Sequence, residues 1–252
     1  MKRISLVFPL LILLAWALGA HLINNEFILP RIESVAGVLL DPFADQLGTG
    51  SMVENALRSL QRVGMGFFIA AAVAIPLGIG MGRFRRLHDL LDSTIQILRP
   101  IPPLAWLPLA LAWFKIGLTS ILFIIFLGAF FPVLLNTIDG VRGVKRTWVE
   151  AATTLGANER QILLRVILPG AAPTIWTGLR VGFGVAWMCV VAAEMLPGTT
   201  SGLGYLIIFA FNFGQIQLII AGMIVIGLIG LALDALFKVI EAKRFGWREL
   251  ER

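Results

Sequence analysis

Residues 150–169 read EAATTLGANERQILLRVILP, a polar and moderately charged segment between two strongly apolar regions. The chain of 252 residues is 58% hydrophobic and only 14% charged, and its mean hydropathy is +0.88. A composition this apolar excludes an ordinary soluble domain and predicts that the flanking regions lie in lipid. Residues 150–169 are therefore predicted to lie in water, where they can contact a soluble partner.

The charge pattern indicates which partners to exclude. The formal net charge is +6, but the Lys and Arg residues lie in short loops between apolar runs, as is typical of the cytoplasmic loops of membrane proteins. Nucleic-acid binding is therefore not predicted.

The single cysteine, Cys189, lies inside an apolar run. It excludes a disulfide framework or a cysteine-rich metal site within one chain, and we interpret it as a small core residue.

The apolar runs predict about six membrane spans in a single transmembrane domain over residues 1–252. These runs are residues 4–22, 70–82, 104–114, 119–138, 171–196 and 216–237. We interpret the first run as an uncleaved helix rather than a signal peptide ending near Ala20, because it approaches the roughly 20 residues that a span needs.

The basic residues concentrate on one side of this arrangement, from Lys2 and Arg3 at the start to Arg248 at the end. The positive-inside rule then places both termini and the loop 142–169 in the cytoplasm. The loops 23–55, which is acidic, and 197–217, which carries no formal charge, are predicted to lie outside. We interpret loop 197–217 either as a receiving surface for an extracytoplasmic binding protein or as a short re-entrant loop that closes an outer gate.

Local signals predict that the loop 142–169, which we call the hook, forms two short helices. Trp148, Ala151, Ala152 and Leu155 make an apolar stripe at helical spacing. Gly156 can adopt the left-handed conformation that ends a helix.

The second helix of the hook is predicted to begin directly afterwards. Asn158 can cap it, with Gln161 reaching back as in a capping box. Pro169 is expected to end this helix.

A proline-rich break precedes the third apolar run. The segment Arg99-Pro100-Ile101-Pro102-Pro103 interrupts the chain, and the run 104–114 is short and contains Pro108. Such irregular membrane segments often mark a transport pathway, and a merely kinked helix is the alternative. Arg99 either draws an anion toward the pathway or extends its side chain to the headgroups. Pro102, Pro103 and Trp106 are the other candidates in this segment for lining a pathway or gate.

Two further charges fall inside predicted spans. Glu194 either pairs with a cation or faces a water-filled path, and the alternative is a gate or fold contact unrelated to substrate. Because a carboxylate repels anions, Glu194 is not predicted to bind one. Arg180 needs a partner or water, and Asp139 and Asp234 are both possible partners.

The hook carries a resemblance to a known family. Glu150-Ala151-Ala152, Gly156, and Val166 followed by Leu168-Pro169 resemble the EAA loop of permease subunits in binding-protein-dependent ABC importers. The family usually has isoleucine at the position of Val166. The resemblance extends over nearly the whole chain.

Two other segments are similar to one branch of that family. They are the run RPIPPLAWLP at residues 99–108 and the sequence Val191-Ala192-Ala193-Glu194. Both resemble the branch that imports nitrate, sulfonates, taurine or bicarbonate.

The resemblance implies an all-α integral membrane protein with the fold of a type I ABC importer transmembrane domain, in which the hook is the coupling helix. The residues implied to couple to the ATPase are Glu150, Ala151, Ala152, Leu155 and Gly156. The chain contains no GxxxxGK[ST] phosphate loop. ATP and Mg²⁺ are therefore expected on a partner, and neither a cofactor nor an enzymatic activity is expected on this chain.

The implied assembly lies in the inner membrane of the cell. It comprises a second copy of the permease, two cytoplasmic ATPase subunits and an extracytoplasmic substrate-binding protein. The implied substrate is a small oxyanion or a sulfonate. Permeases for vitamin precursors or amines share this type and are the alternative within the family.

Two alternatives come from other functional classes. A membrane-embedded enzyme is opposed by the absence of an HExxH motif and by the position of both histidines, His21 and His88, before the Gly198–Gly202 segment that faintly resembles a serine-protease loop. An ion-coupled secondary carrier would need no ATPase, and Glu194 and Asp234 could serve protons in it.

Overall fold

The computed structural model describes residues 7–245, and these residues form eleven α-helices and no β-sheet. The helices are α1 (Val7–Ile23), α2 (Ile32–Leu40), α3 (Met52–Arg83), α4 (Arg85–Leu98), α5 (Leu107–Phe114), α6 (Leu118–Arg142), α7 (Arg146–Thr154), α8 (Glu159–Ile162), α9 (Leu168–Glu194), α10 (Leu203–Asn212) and α11 (Ile216–Phe245). A 3₁₀-helical turn (Pro103–Trp106) precedes α5, and a π-helical turn (Leu163–Ile167) joins α8 to α9. The all-α prediction is confirmed. The predicted cytoplasmic cations Lys2, Arg3 and Arg248 lie outside the described residues.

Four continuous helical segments are long and apolar enough to cross a membrane: α3, α6, the segment Glu159–Glu194 and α11. The pair formed by α4 and the segment Pro103–Phe114 bends by 87° at the proline-rich break and counts as a fifth crossing if it is one broken span. The first predicted span contains α1, an apolar helix of 17 residues. The count of six therefore stays a prediction.

The chain divides into two compact units. The first comprises the chain up to Leu60 together with Glu194–Ile229, and the second comprises Gln61–Ala193 together with the chain from Gly230 onward. The boundaries between the units fall within α3, α9 and α11.

The second unit is built around α6, whose buried residues face α3 and α9. Val133, Leu134 and Ile138 of α6 form a core cluster with Ala74 and Met81 of α3. These side chains interdigitate as in other close-packed interiors, so this cluster holds α3 and α6 in register.

Small residues bring α9 close to α6 at Gly178 and Gly182, which have the GxxxG spacing. A Cβ on Gly178 would lie 3.2 Å from the Pro132 carbonyl oxygen, and one on Gly182 would lie 3.0 Å from that of Ala129. Only glycine permits this approach of the two backbones. Gly184, two residues further on, makes no such contact, because a Cβ there would meet nothing within 4 Å.

Pro169 does not end a helix, contrary to the sequence prediction. The chain continues from α8 through the π-helical turn into α9, with Pro169 as the second residue of α9. In this turn the Leu168 N–H donates to the Leu163 carbonyl, five residues earlier. The wider turn shifts the hydrogen-bond pattern by one residue just before the proline, so the missing N–H of Pro169 breaks no regular ladder.

The first unit contains two helices that lie in the predicted outer loops. α2 lies within residues 23–55 and α10 within residues 197–217. One face of α10 is buried, and Ile207 on that face packs against Gly222 of α11. Trp16 of α1 donates a hydrogen bond of 3.0 Å to the Pro30 carbonyl just before α2. Loop 197–217 therefore contains a packed helix of ten residues, which its lack of charge did not indicate.

Candidate coupling and pathway sites

The first helix of the hook, α7, ends in a complete Schellman motif. The Gly156 N–H donates to the Thr153 carbonyl at 2.9 Å, and the Ala157 N–H donates to the Ala152 carbonyl at 3.0 Å. Gly156 adopts a φ of +81°. These two bonds satisfy carbonyls at the end of the helix, and the left-handed residue turns the chain toward α8. The predicted role of Gly156 in the turn is confirmed.

The second helix begins with the predicted capping box. The Asn158 Oδ1 atom accepts a hydrogen bond from the Gln161 N–H, and the Gln161 Oε1 atom accepts one from the Asn158 N–H, each at 2.9 Å. Ile162 and Ile167 then pack with Val141 and Ala171 in a buried cluster. This cluster anchors the second half of the hook to α6 and α9.

Three of the five predicted coupling residues, Ala151, Ala152 and Leu155, line an open apolar cavity of about 1050 Å³, which we call the hook cavity. Trp148, Val166 and Trp176 also line it. The Leu155 side chain is 88% exposed. A leucine this exposed contacts little of its own chain, so the stripe is free to bury against another surface.

The other two coupling residues do not line this cavity. Glu150 lies beside Arg146 one turn earlier on α7, and the two form an exposed ion pair of 2.8 Å. Gly156 lies in the turn. At the start of α8, Glu159 pairs with Arg83 at the end of α3. Exposed pairs of this kind contribute little to stability. We therefore interpret both pairs as contacts that orient the hook.

The proline-rich break borders a second cavity of the second unit, of about 570 Å³, which we call the charged cavity. Two of the predicted pathway residues, Arg99 and Pro103, line it together with Asn136 and Asp139 of α6. The predicted candidates Pro102 and Trp106 are not among its lining residues. Pro132, which lies inside α6, also lines this cavity, and its carbonyl accepts a hydrogen bond of 2.8 Å from Asn136 Nδ2.

Glu194 lies elsewhere, in the first unit, where its side chain is fully buried. Its Oε2 atom accepts hydrogen bonds from the Ser59 hydroxyl at 2.7 Å and from the Gly204 N–H at 3.1 Å. Ser59 Oγ in turn accepts from the Leu203 N–H at 2.9 Å, and Asn55 Oδ1 accepts from the Gly202 N–H at 2.7 Å. These three side chains form a polar clamp on the N-terminus of α10.

The clamp satisfies backbone groups that a helix start leaves without partners. A negative charge at this end is also favoured by the helix dipole. Because Gly202 has a φ of +112° and a Cβ there would lie 2.3 Å from Glu194 Cδ, the turn before α10 requires glycine. These contacts make Glu194 part of the fold of the first unit, and its role in a pathway stays a prediction.

The partner of Arg180 is Asp234, one of the two alternatives that the sequence left open. Arg180 Nε lies 2.7 Å from Asp234 Oδ1, and Glu241 lies 3.6 Å from the same guanidinium. Lys238 pairs with Asp234 at 2.9 Å. The charges balance in this network between α9 and α11, as charges in a membrane segment require. Asp139 instead lines the charged cavity.

Sequence reasoning missed several residues of these sites. Asn55 and Ser59 lie four residues apart on α3, so they share one face, and a polar pair on an apolar helix was the available signal. Asn136 follows Pro132 by four residues, and this spacing alone indicates that the side chain can bond the proline carbonyl.

An all-helical chain whose described residues contain four or five candidate apolar spans is typical of a multi-pass membrane protein. The chain belongs to the family of binding-protein-dependent transport system inner membrane components, which its residues 74–245 match. It is therefore a permease of an ABC transporter, and this family membership fits the importer interpretation rather than the ion-coupled carrier.

Three named proteins illustrate the similarity. A putative ABC transporter permease protein of Methanocaldococcus jannaschii is 56% identical over 98% of this chain and 92% of its own length. The nitrate import permease of Synechocystis sp. is 39% identical over 84% of this chain and 77% of its own. The taurine transport system permease of Escherichia coli is 36% identical over 92% and 84%.

The fold is also that of solved ABC transporters. The methionine ABC transporter MetNI in an inward-facing conformation aligns with a TM-score of 0.64 at 16% identity, covering 77% of this chain and 95% of the solved chain. At this identity the comparison establishes the fold alone. The type I importer fold is thereby confirmed.

Proposed function

We propose that this chain is the permease subunit of an ATP-driven importer for small oxyanions or sulfonates. A second copy of the chain, two cytoplasmic ATPase subunits and an extracytoplasmic binding protein complete the assembly. The names of the nitrate and taurine permeases support this substrate class over vitamin precursors and amines.

The observation that carries the proposal is the hook. A Schellman motif and a capping box, both closed by local hydrogen bonds, present Ala151 and Leu155 beside an open apolar cavity. The two motifs follow one another at the junction of α7 and α8, so no flexible loop separates α7 from α8 and, through the π-helical turn, from α9. ATP and Mg²⁺ bind to the ATPase subunits, and these subunits bind the face of α7 that lines the hook cavity.

The arrangement in the membrane follows from the charge pattern. The chain crosses the inner membrane with both termini and the hook in the cytoplasm, and the loops 23–55 and 197–217 lie outside. ATP binding draws the ATPase subunits together and moves both hooks, which alternates access to the pathway. The free energy of ATP binding drives this change because the ATPase subunits make different contacts with the permease in its two states.

The test is reconstitution of the complete importer in liposomes. Uptake of radiolabelled nitrate and taurine is measured with and without ATP and with an uncoupler of the proton gradient. We expect uptake that requires ATP and the ATPase subunits and is insensitive to the uncoupler. Uptake that persists without ATP and collapses with the proton gradient contradicts the proposal.

A further inference from the structure

α4 packs against the core of the second unit through one of its sides. Leu87, Leu91 and Ile95 lie on this side at intervals of four residues, so they form one stripe along the helix. Ile95 is buried in the core cluster of α3 and α6, and Leu87 and Leu91 pack against that cluster. Two other sides of α4 are open.

One of the open sides is polar. Asp89, Asp92 and Gln96 follow one another at intervals of three and four residues. Arg85 pairs with Asp89 at 3.8 Å, and Gln96 Nε2 donates a hydrogen bond to Asp92 Oδ2. Because charged and amide groups favour water, this side of α4 suits an aqueous medium.

The other open side is apolar. Leu90 is 73% exposed and Ile97 is 71% exposed. They lie two turns apart, with the exposed Thr94 between them on the same side. Arg86, which is also exposed, lies one turn before Leu90, at the edge between this side and the polar one. Large apolar side chains aligned in this way mark an interaction surface. Its partner must therefore be apolar beside Leu90 and Ile97 and negatively charged beside Arg86.

The direction of α4 indicates that partner. α4 and the segment Pro103–Phe114 meet at an angle of 87°, so the two cannot both run along the bilayer normal. The segment Pro103–Phe114 contains no charged residue, whereas α4 contains two arginines and two aspartates. The uncharged segment is therefore the one that enters the hydrocarbon interior, and α4 lies along the membrane surface.

We propose that α4 is an interfacial helix, whose apolar side at Leu90 and Ile97 inserts into a phospholipid leaflet while Arg86 contacts an anionic headgroup. Contact with protein on one side, lipid on the second and water on the third matches the chemistry of all three sides of the helix. In the proposed topology α3 ends at the cytoplasmic surface, where the leaflet carries negative charge. The position of Arg86 at the edge of the apolar side thus matches the order of acyl chains, phosphate and water.

This inference goes beyond the proposed transport function, because it concerns how lipid holds the permease. α4 ends at Leu98, and the next residue, Arg99, lines the charged cavity together with Pro103. The depth of α4 in the leaflet therefore sets the position of the proline-rich break beside this cavity.

The test attaches a fluorescent bimane label to single cysteines of the full-length permease in phosphatidylcholine liposomes. Cys189, the single cysteine of the chain, is first replaced by alanine. Leu90→Cys and Ile97→Cys place the label on the apolar side of α4. Asp89→Cys and Gln96→Cys, at the directly preceding positions, are the matched controls on the polar side.

Quenching by lipids with brominated acyl chains and by aqueous acrylamide identifies the surroundings of each label. We expect brominated lipid to quench the labels at 90 and 97 more strongly than those at 89 and 96, and acrylamide to show the reverse order. Stronger acrylamide quenching at 90 and 97 would show that this side faces water and would overturn the proposal. Weak quenching of these two labels by both agents would show a protein contact, such as a second copy of the chain, and would also overturn it.

Brominated phosphatidylglycerol tests the headgroup contact. At equal mole fractions, we expect it to lie beside the label at position 90 about fivefold more often than brominated phosphatidylcholine, because one arginine near a membrane surface contributes that ratio. Arg86→Gln should abolish this preference. Lys243→Gln, which removes an exposed charge at the end of α11, should keep it. An unchanged preference in Arg86→Gln would overturn the assignment of Arg86 to the headgroup.

The outcome is distinguishable from failure of the transport function. ATP-dependent uptake by the complete importer, with water around the labels at 90 and 97, would keep the importer and eliminate the interfacial helix. Lipid around these labels without ATP-dependent uptake would keep the interfacial helix and eliminate the importer. If Arg86→Gln does not assemble, the comparison of the two headgroups on the chain that retains Arg86 still decides.

Discussion

Ser59 and Glu194 are 135 positions apart in the chain, and the Ser59 hydroxyl donates a hydrogen bond of 2.7 Å to Glu194 Oε2. Both side chains are fully buried. The same serine oxygen accepts from the Leu203 N–H, so one hydroxyl links α3, the end of α9 and the start of α10. Removal of any member of such a buried network leaves the others with unmet hydrogen bonds.

Ser59→Ala is therefore expected to destabilise the chain. The Leu203 N–H would lose its acceptor and Glu194 one donor, and an unsatisfied buried group costs about 1–3 kcal/mol. The thermal unfolding midpoint in nanodiscs measures the effect. Ser93→Ala, at an exposed position of α4, is the matched control. Equal midpoints for the two variants would show that the clamp contributes nothing.

Gly202→Ala should be more damaging than Ser59→Ala. The new Cβ would lie 2.3 Å from Glu194 Cδ, in a backbone conformation with a φ of +112°. Since the carboxylate is held by two hydrogen bonds, it cannot move aside freely. The yield of monodisperse protein after extraction is the measurement. Gly184→Ala, where a Cβ meets nothing within 4 Å, should match the unmodified chain, and a Gly202→Ala yield at that level would refute the expectation.

Gly156→Val should uncouple ATP hydrolysis from transport. A Cβ at this position meets nothing within 4 Å, so the effect comes from the φ of +81° alone, which costs a β-branched residue about 1–3 kcal/mol. The protein should still reach the membrane. Uptake per ATP hydrolysed by the reconstituted importer is the measurement.

Gly156→Asn provides the control for this substitution, because asparagine tolerates the left-handed conformation. We expect it to retain most of the coupling. Full coupling in Gly156→Val would show that the Schellman turn is not required for transmission.

Leu155→Glu is expected to weaken binding of the ATPase subunit without affecting the fold. The side chain is 88% exposed and lines the hook cavity. A charge there must be desolvated when the interface forms, so we expect association to weaken about tenfold or more. Co-purification with the ATPase and a binding titration measure this, with Leu155→Met as the apolar control. Undiminished binding of Leu155→Glu would place the interface elsewhere.

Arg180 and Asp234 should behave as a coupled pair. Arg180→Gln leaves Asp234 with Lys238, and Asp234→Asn leaves Arg180 with Glu241. We expect the double variant to lose less stability than the sum of the two single variants. The exposed pair Arg85 and Asp89 provides the comparison cycle, in which the losses should add. Additive losses for Arg180 and Asp234 would show that the two do not interact.

Much of the hook could be predicted from sequence because its hydrogen bonds are local. The Schellman motif and the capping box each connect residues three to five positions apart, so chain connectivity brings the groups together. The prediction that Pro169 ends a helix is wrong, because a π-helical turn forms just before it. That turn depends on how Ile162 and Ile167 pack against α6 and α9, which local signals do not contain.

By itself the sequence determined the membrane environment, the helical class, the exposure of the hook and the family resemblance, because composition, charge position and short-range spacing carry that information. Only the tertiary structure decided the long-range pairings. It selected Asp234 over Asp139 for Arg180, brought Ser59 and Asn55 to the start of α10 beside Glu194, and placed Arg99 and Asp139 in one cavity. These relationships follow from how apolar helix faces and glycine contacts pack the helices together, and that packing involves residues far apart in the chain.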